Sequence, residues 1–268
     1  MKSLRTALRL FAEFADQQPH FGVSELAQRT GMSKSHVSRA LSAFVDARLL
    51  VQDPKTRTFS VGLRAFTIGA RFVNYDPLSS AAMPIMRELA QRTGHSTRLS
   101  VMEGDEAIYI LGVEGPHFVD TGWRAGTPLP LHSTTGGRVL LAFTDPKRAE
   151  ALIARMRLDR LTENTVTSRA TLRRLVGQIR ERGFDVQRGE TTKGLGTIGV
   201  PVFGPDQQVL GVLSIAFPVH MVPAEAEREY VELLHDAAKV LSLRMGSAVY
   251  PFGGSRSTAG KRKESLLT

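Results

Sequence analysis

The sequence predicts an α+β protein built in two parts, a short helical unit closed by a β-hairpin and a longer unit with helices packed on an antiparallel sheet. Three observations predict it. Two short amphipathic helices meet at a tight turn between residues 23 and 48, and a hairpin pattern follows at once. Beyond residue 90, two pairs of strand-like segments are each joined by a turn bearing Gly with Asp or Pro, as antiparallel neighbours are. Finally, 268 residues at 42% hydrophobic content suffice for two cored domains.

Leu4, Ala7, Leu8, Leu10, Phe11, Phe14 and Ala15 share one face of a first helix ending near Asp16. It is the third helix that a helix-turn-helix needs beneath it, or else a dimer contact. Residues 17–22 loop around Pro19. In the second helix Leu26, Ala27 and Thr30 line one side, and Gly31, which tolerates φ > 0, closes it. Ser33 stands where an N-cap oxygen would satisfy the free N–H groups of the third helix. Val37, Leu41, Phe44, Val45 and Arg48 then recur on one face, and Ser35, Arg39 and Ser42 occupy the other, flanked by His36 and Ser38; with Lys34 these are the candidate DNA contacts.

A face so short and cationic suits the major groove of DNA, where small hydroxyls permit close approach and Arg can fork onto guanine. A helical hairpin with a solvated face is the alternative. The next residues favour DNA: Leu49–Val51 reads as a strand, Pro54 as a turn and Thr58–Val61 as the returning strand. Helix, helix, hairpin is a winged helix-turn-helix, and Lys55 and Arg57 at the wing tip are placed to meet phosphate oxygens.

Leu63, Phe66, Ile68, Gly69 and Phe72 form a linker helix leading to the Asp76-Pro77 break. The expected organisation is a DNA-binding domain over 1–61, a linker helix over 62–77, a second domain over 78–250 and a disordered basic tail over 251–268. Within the second domain, Leu78–Thr93 is a helix, and Ser96–Met102 and Ala107–Val113 are strands turned at Gly104-Asp105. Phe118–Trp123 is read as a third strand. The loop from Arg124 feeds a helix from about Thr134 to Phe143. Asp145 caps a helix to Arg157 with Pro146 at its first position, and Gly183 stops another that begins at Thr171. Strands Leu195–Phe203 and Val209–Phe217 follow, and Pro223 opens the last long helix.

The net charge of +9 is uneven. Residues 1–75 hold 11 Lys/Arg against 5 Asp/Glu and residues 252–268 hold 4 against 1, while the stretch between is balanced. An excess on the DNA-binding unit is what counterion release would use, although it also serves solubility. The absence of cysteine excludes disulfides, thiolate catalysis and zinc fingers, and leaves cytoplasmic residence unopposed. Arg5, Arg9 and Glu13 interrupt the first apolar run, unlike a secretory signal, and no stretch reads as a membrane span.

No catalytic constellation emerges. The seven histidines lack metal-ligand spacing, residues 133–137 match neither a P-loop nor a nucleophile elbow, and GLGTIG at 194–199 does not open a helix. No catalytic residue, metal or cofactor is therefore expected. The helix start at 135–137 offers free N–H groups and a positive dipole end to a carboxylate, or else is simply tightly packed. Trp123 and Arg124 just upstream could stack on a ring and pair with an acid, with Trp123 as core the alternative.

Three segments resemble the IclR family of bacterial transcriptional regulators. GMSKSHVSRAL (31–41) is similar to the family's recognition helix, and PLPLHSTTGGRVLLA (128–142) to its PLHATALGKALLA segment. GFDVQRGETTKGLGTIGVPVFGPDQQVLGVLSIAFP (183–218) is similar to its segment ending in GALSI.GP. Their order and spacing span residues 4–246. The resemblance implies a homodimer or dimer of dimers on operator DNA. It also implies a GAF-like C-terminal domain binding a small organic acid, aromatic or short-chain, from a catabolic pathway. By position, the effector residues would be Leu129, Thr135, Gly136, Gln187, Glu190, Thr197, Ser214 and Ala216. Arg138 stands where Lys is usual, Gly189 replaces an acidic residue, and Thr135-Gly136 replaces Ala-Leu, so a roomier pocket is expected near 135–137. A second domain that only oligomerises, or an enzyme with an accessory DNA-binding arm, are the competing readings.

Overall fold

The computed structural model describes residues 2–15, 18–119 and 124–253. Helix α1 (Lys2–Ala12) continues as a 3₁₀ turn, Glu13–Ala15. Helix α2 (Val23–Thr30) ends at Gly31, whose φ of 70° is the left-handed turn that lets α3 (Lys34–Asp46) leave at an angle. Strands β1 (Leu50–Gln52) and β2 (Phe59–Val61) pair antiparallel as the wing. Leu10, Phe14, Phe21, Leu26, Val37, Leu41, Leu50 and Phe59 close one core among these elements. Burying each such side chain is worth about 1.5–3 kcal/mol, so the small unit has its own source of stability. The apolar stripe of α1 is divided. Leu10 and Phe14 face this core, while Leu4 and Leu8 remain 63% and 55% exposed.

Helix α4 (Leu63–Tyr75) buries none of its residues, although Leu63, Phe66, Ile68, Phe72 and Tyr75 are large and apolar. It stops at Asp76, whose carboxylate accepts from the Ser79 N–H at 2.7 Å and its hydroxyl at 2.6 Å, starting α5 (Pro77–Thr93). The Asp-Pro break is thus a cap for the next helix.

Strands β3 (Ser96–Glu103), β4 (Glu106–Val113), β5 (Pro128–Leu129), β6 (Asp185–Arg188), β7 (Leu195–Phe203) and β8 (Val209–Pro218) form one sheet in the order β5-β4-β3-β8-β7-β6. Every pairing is antiparallel. On one face, α5 and α9 (Glu227–Arg244) bury Met86, Leu89, Leu234 and Leu241 against Leu99, Val200, Leu213 and Ile215. On the other lie α6 (Thr135–Phe143), α7 (Pro146–Arg155) and α8 (Arg169–Arg182), with Leu140, Leu152 and Leu172 in a second core that includes Val212.

Several sequence expectations are corrected. Phe118 and Val119 are irregular and exposed rather than extended in a strand, and the rest of that predicted strand, including Trp123, lies outside the described residues. Edge strands β5 and β6 went unforeseen. They span only two and four residues, too few for alternation to be visible. The helix after Asp145 ends at Arg155, and α8 begins at Arg169 under a Ser168 cap. A 3₁₀ turn, Ala224–Ala226, precedes α9. Of the tail, Phe252 packs its ring edge-on to Phe143 at 5.5 Å, whereas residues 254–268 lie outside the described ones.

Candidate DNA-reading face and effector cavity

Helix α3 separates its two sides cleanly. Val37 and Leu41 are buried, while Lys34, Ser35, Ser38, Arg39 and Ser42 are exposed and His36 is half-buried. Ser33 caps the helix, its hydroxyl accepting from the His36 N–H at 3.4 Å. Ser42 returns its hydroxyl to the Ser38 carbonyl at 3.1 Å and Arg39 Nε reaches only the Ser35 carbonyl of its own helix at 3.4 Å. Among the described residues, the guanidinium is therefore tied to no other element. At the wing tip, Asp53 Oδ1 accepts from the N–H groups of Thr56 at 3.0 Å and Lys55 at 2.7 Å. These bonds, that of Thr56 first, hold the Asp53 carboxyl below its ordinary range. The turn leaves the side chains of Lys55 and Arg57 exposed.

In the second domain, strand register gathers residues that lie far apart in sequence. Gln187, Thr197, Ala216 and Ser96 form one row across β6, β7, β8 and β3. Asp185, Gly199, Ser214, Arg98 and Gly112 form the next. The start of α6 comes down over these rows. A Cβ on Gly199 would come within 2.6 Å of Thr135 Cγ2, so the glycine sets how close the helix lies. Thr135 Oγ1 meets Thr197 Oγ1 at 2.6 Å, and Gln187 Nε2 donates to the same Thr197 oxygen at 2.9 Å. Between helix and sheet lies about 530 Å³ of unfilled space, counted out to its solvent-open mouth.

Leu129, Thr135, Gly136, Gln187, Thr197, Ser214 and Ala216 line this cavity. Of the effector residues read by position, Glu190 alone is off its wall. Its carboxylate accepts from Arg138 Nη1 at 2.8 Å, and Arg138 Nε also donates to Asp185 Oδ2 at 2.7 Å. Burial alone would push the Arg138 guanidinium down, but Asp185 and Glu190 outweigh it and hold the group above its ordinary value. Arg182, 3.3 Å from the other Asp185 oxygen, brings a second cation to the two carboxylates. This network pins α6 to β6 and to the turn at Gly189-Glu190. Thr162 and Thr165 hold that turn from the far side, donating to the Gly189 and Glu190 carbonyls at 2.6 and 2.7 Å.

Residues 71–243 match the family described as bacterial transcriptional regulator IclR C-terminal, and residues 3–54 match the IclR helix-turn-helix domain. The chain belongs to the IclR family of bacterial transcriptional regulators. It is 34% identical to the HTH-type transcriptional regulator KdgR of Escherichia coli K12 over 253 residues, covering 93% of this chain and 96% of that one. The IclR transcriptional regulator from Alicyclobacillus acidocaldarius superimposes with a TM-score of 0.80 at 26% identity, covering 92% of this chain and 99% of the other. An IclR homolog from Microbacterium hydrocarbonoxydans, solved in complex with 4-hydroxybenzoate, shares the fold with a TM-score of 0.74 at 23% identity, over 91% and 98% of the two chains. The protein is therefore a DNA-binding transcriptional regulator and not an enzyme.

For this IclR-family chain the two glycines at the start of α6 have different duties. A Cβ on Gly137 would lie 2.5 Å from the Leu131 Cα, so that position is closed by packing. A Cβ on Gly136 would stand 3.1 Å from Ser100 Oγ and 3.4 Å from Leu129 Cδ1, on the cavity wall. The tight-packing reading of this helix start thus holds at Gly137, while Gly136 faces the cavity. Sequence reasoning missed Arg98, Ser100, Tyr109, Thr134, Thr191 and Leu195, which also line the space. Thr134, Thr191 and Leu195 lie within the family-like segments without being distinguished there, and Arg98, Ser100 and Tyr109 lie outside them. Arg98 and Ser100 are polar residues on an alternating strand, which reads as a solvated face until α6 is seen to cover it.

Proposed function

We propose that the protein controls a catabolic operon by binding a near-palindromic operator as a homodimer and a small organic acid in the second domain. The observation that carries the DNA half is α3, whose Lys34, Ser35, His36, Ser38, Arg39 and Ser42 side is not committed to the core while Val37 and Leu41 anchor the opposite side. Lys55 and Arg57 would add phosphate contacts from the wing. The homodimer is supported by apolar side chains of α1 and α4 that this chain leaves uncovered, above all Leu4, Leu8, Leu63 and Phe66. A second copy supplies a matching face by symmetry, and a two-fold protein calls for a two-fold site.

The effector half is supported by the cavity under α6, where Leu129, Thr135, Gly136, Gln187, Thr197, Ser214 and Ala216 would meet the ligand and the helix start would favour a carboxylate. A catabolic operon fits a regulator whose signal is a small acid. Among the described residues, no helix is long and apolar enough to cross a membrane.

Selection of bound duplexes from a random pool tests the reading directly. The expected product carries two inverted half-sites whose centres are about 10–10.5 bp apart, or a multiple of that. Recovery of an unrepeated site, with a monomer by sedimentation on the same sample, would overturn the dimeric mode.

A further inference from the structure

Resting on the effector-cavity reading, we propose that Arg98 is the residue that receives the effector's carboxylate and that Glu114 is its resident counter-ion, displaced as the acid enters. Arg98 is the one charged side chain among the described residues that line the cavity. It is only 14% exposed, and a cation so enclosed calls for a compensating charge. The carboxylate at hand is a poor partner. Glu114 Oε1 stands 3.5 Å from Arg98 Nη1, its side chain is 47% exposed, and its other oxygen accepts from Ser96 Oγ at 2.6 Å. Arg138 in the same domain shows what a committed arginine looks like, with two carboxylates at 2.7 and 2.8 Å.

The strong bond of Arg98 goes instead to a neutral group, Tyr109 Oη at 2.6 Å, with the guanidinium 5.0 Å from the centre of the tyrosine ring. Gly112, opposite Arg98 in the β3–β4 pairing, makes room for this arrangement. A Cβ there would collide with Tyr109 Oη and come within 3.3 Å of Arg98 Nη1. Burial holds the Tyr109 phenol above its ordinary range despite the adjacent guanidinium, so it keeps its proton at neutral pH. The site thus presents a guanidinium fixed in orientation by tyrosine and a phenolic O–H beside it, both matched to an oxyanion. An entering carboxylate gains charge-assisted bonds in an enclosed setting, whereas Glu114 gives up a long one and turns to water. Arg98 therefore selects for acids over their neutral isosteres, and Glu114 sets the threshold concentration.

The test uses the full chain, its Arg98→Gln and Glu114→Gln variants, and calorimetric titration with pyruvate, D-gluconate, 4-hydroxybenzoate and the neutral 4-hydroxybenzamide. We expect at least one acid to bind the parent protein. Arg98→Gln should weaken that acid by about tenfold or more, and Glu114→Gln should tighten it several-fold while leaving the amide unchanged. A purely structural role for either residue would not produce a gain of affinity in Glu114→Gln. An acid bound equally by the parent and a folded Arg98→Gln variant would overturn the assignment of Arg98. Equal affinity in Glu114→Gln would overturn the counter-ion. Should Arg98→Gln not fold, Glu114→Gln decides by itself, because its side chain is half exposed. If no acid binds the parent protein while it still binds DNA, the acid-effector reading itself fails.

Discussion

Helices α3 and α6 begin alike and end up in opposite circumstances. Ser33 caps one and Thr134 the other, each hydroxyl accepting the N–H three residues on, at 3.4 and 3.0 Å. Only Val37 and Leu41 of α3 are buried, whereas every residue of α6 from Thr135 to Ala142 is. The polar groups of α3 lie at the surface, and changing them should spare the fold. Those of α6 must be satisfied inside the chain, because an unpaired charge there cannot turn to water. Arg138 is the extreme case, with no exposure and two carboxylates.

The contrast is broken most forcefully at Asp185. Asp185→Ala leaves Arg138 with half its counter-charge and should cost about 3–5 kcal/mol, or roughly 10 °C in melting temperature. Urea unfolding that showed a loss below about 1 kcal/mol would mean that α6 is no more committed than α3. Acid tests the same contrast on α9. His235 is buried, its Nδ1 lies 2.9 Å from Tyr250 Oη, and burial pushes its imidazole down to about 4 from the ordinary 6.5. Because the folded value is the lower one, the unfolded chain takes up the proton first. Stability from this group is present above pH 6.5 and is lost as the pH falls toward 4, by about 3 kcal/mol. His235→Phe should flatten the fall of melting temperature across that window, and an unchanged slope would remove His235 as its source.

The α3 side is sharpened by smaller effects of another kind. Arg39→Ala should cost about 1–3 kcal/mol of operator affinity and relax preference at one base pair, with stability unchanged within about 0.5 kcal/mol. Lys55→Ala should weaken all duplexes alike and reduce the slope of log affinity against log salt by about 1. An Arg39→Ala protein that melts several degrees lower would show that this face is packed after all.

The same two regions differ in how far the sequence reveals them. The α2–α3 turn and the wing are legible because each signal is local: Gly31 at φ 70°, Ser33 as cap, and Val37 and Leu41 a turn apart. In the second domain the long strands and caps are legible for the same reason, whereas β5, β6 and the Arg138 network are not. Asp185 and Glu190 lie 47 and 52 residues from Arg138, and no local period connects them. Seven of the eight effector residues carried over by position do share a wall, because the register of β6, β7 and β8 and the start of α6 bring them together. Glu190 differs because a carboxylate in that turn reaches Arg138 before it can reach the cavity.

By itself, then, the sequence determined the order of the long helices and strands, which side of α3 is oily, and which family the chain resembles. Tertiary structure decided which strand face is covered, and with it the fate of Arg98. Alternation along Ser96, Arg98 and Ser100 shows that a strand has two sides, but not which of them another element will close. That depends on the register of six strands and on how near α6 can approach at Gly199 and Gly137, distances set by chain segments remote from the residues they enclose.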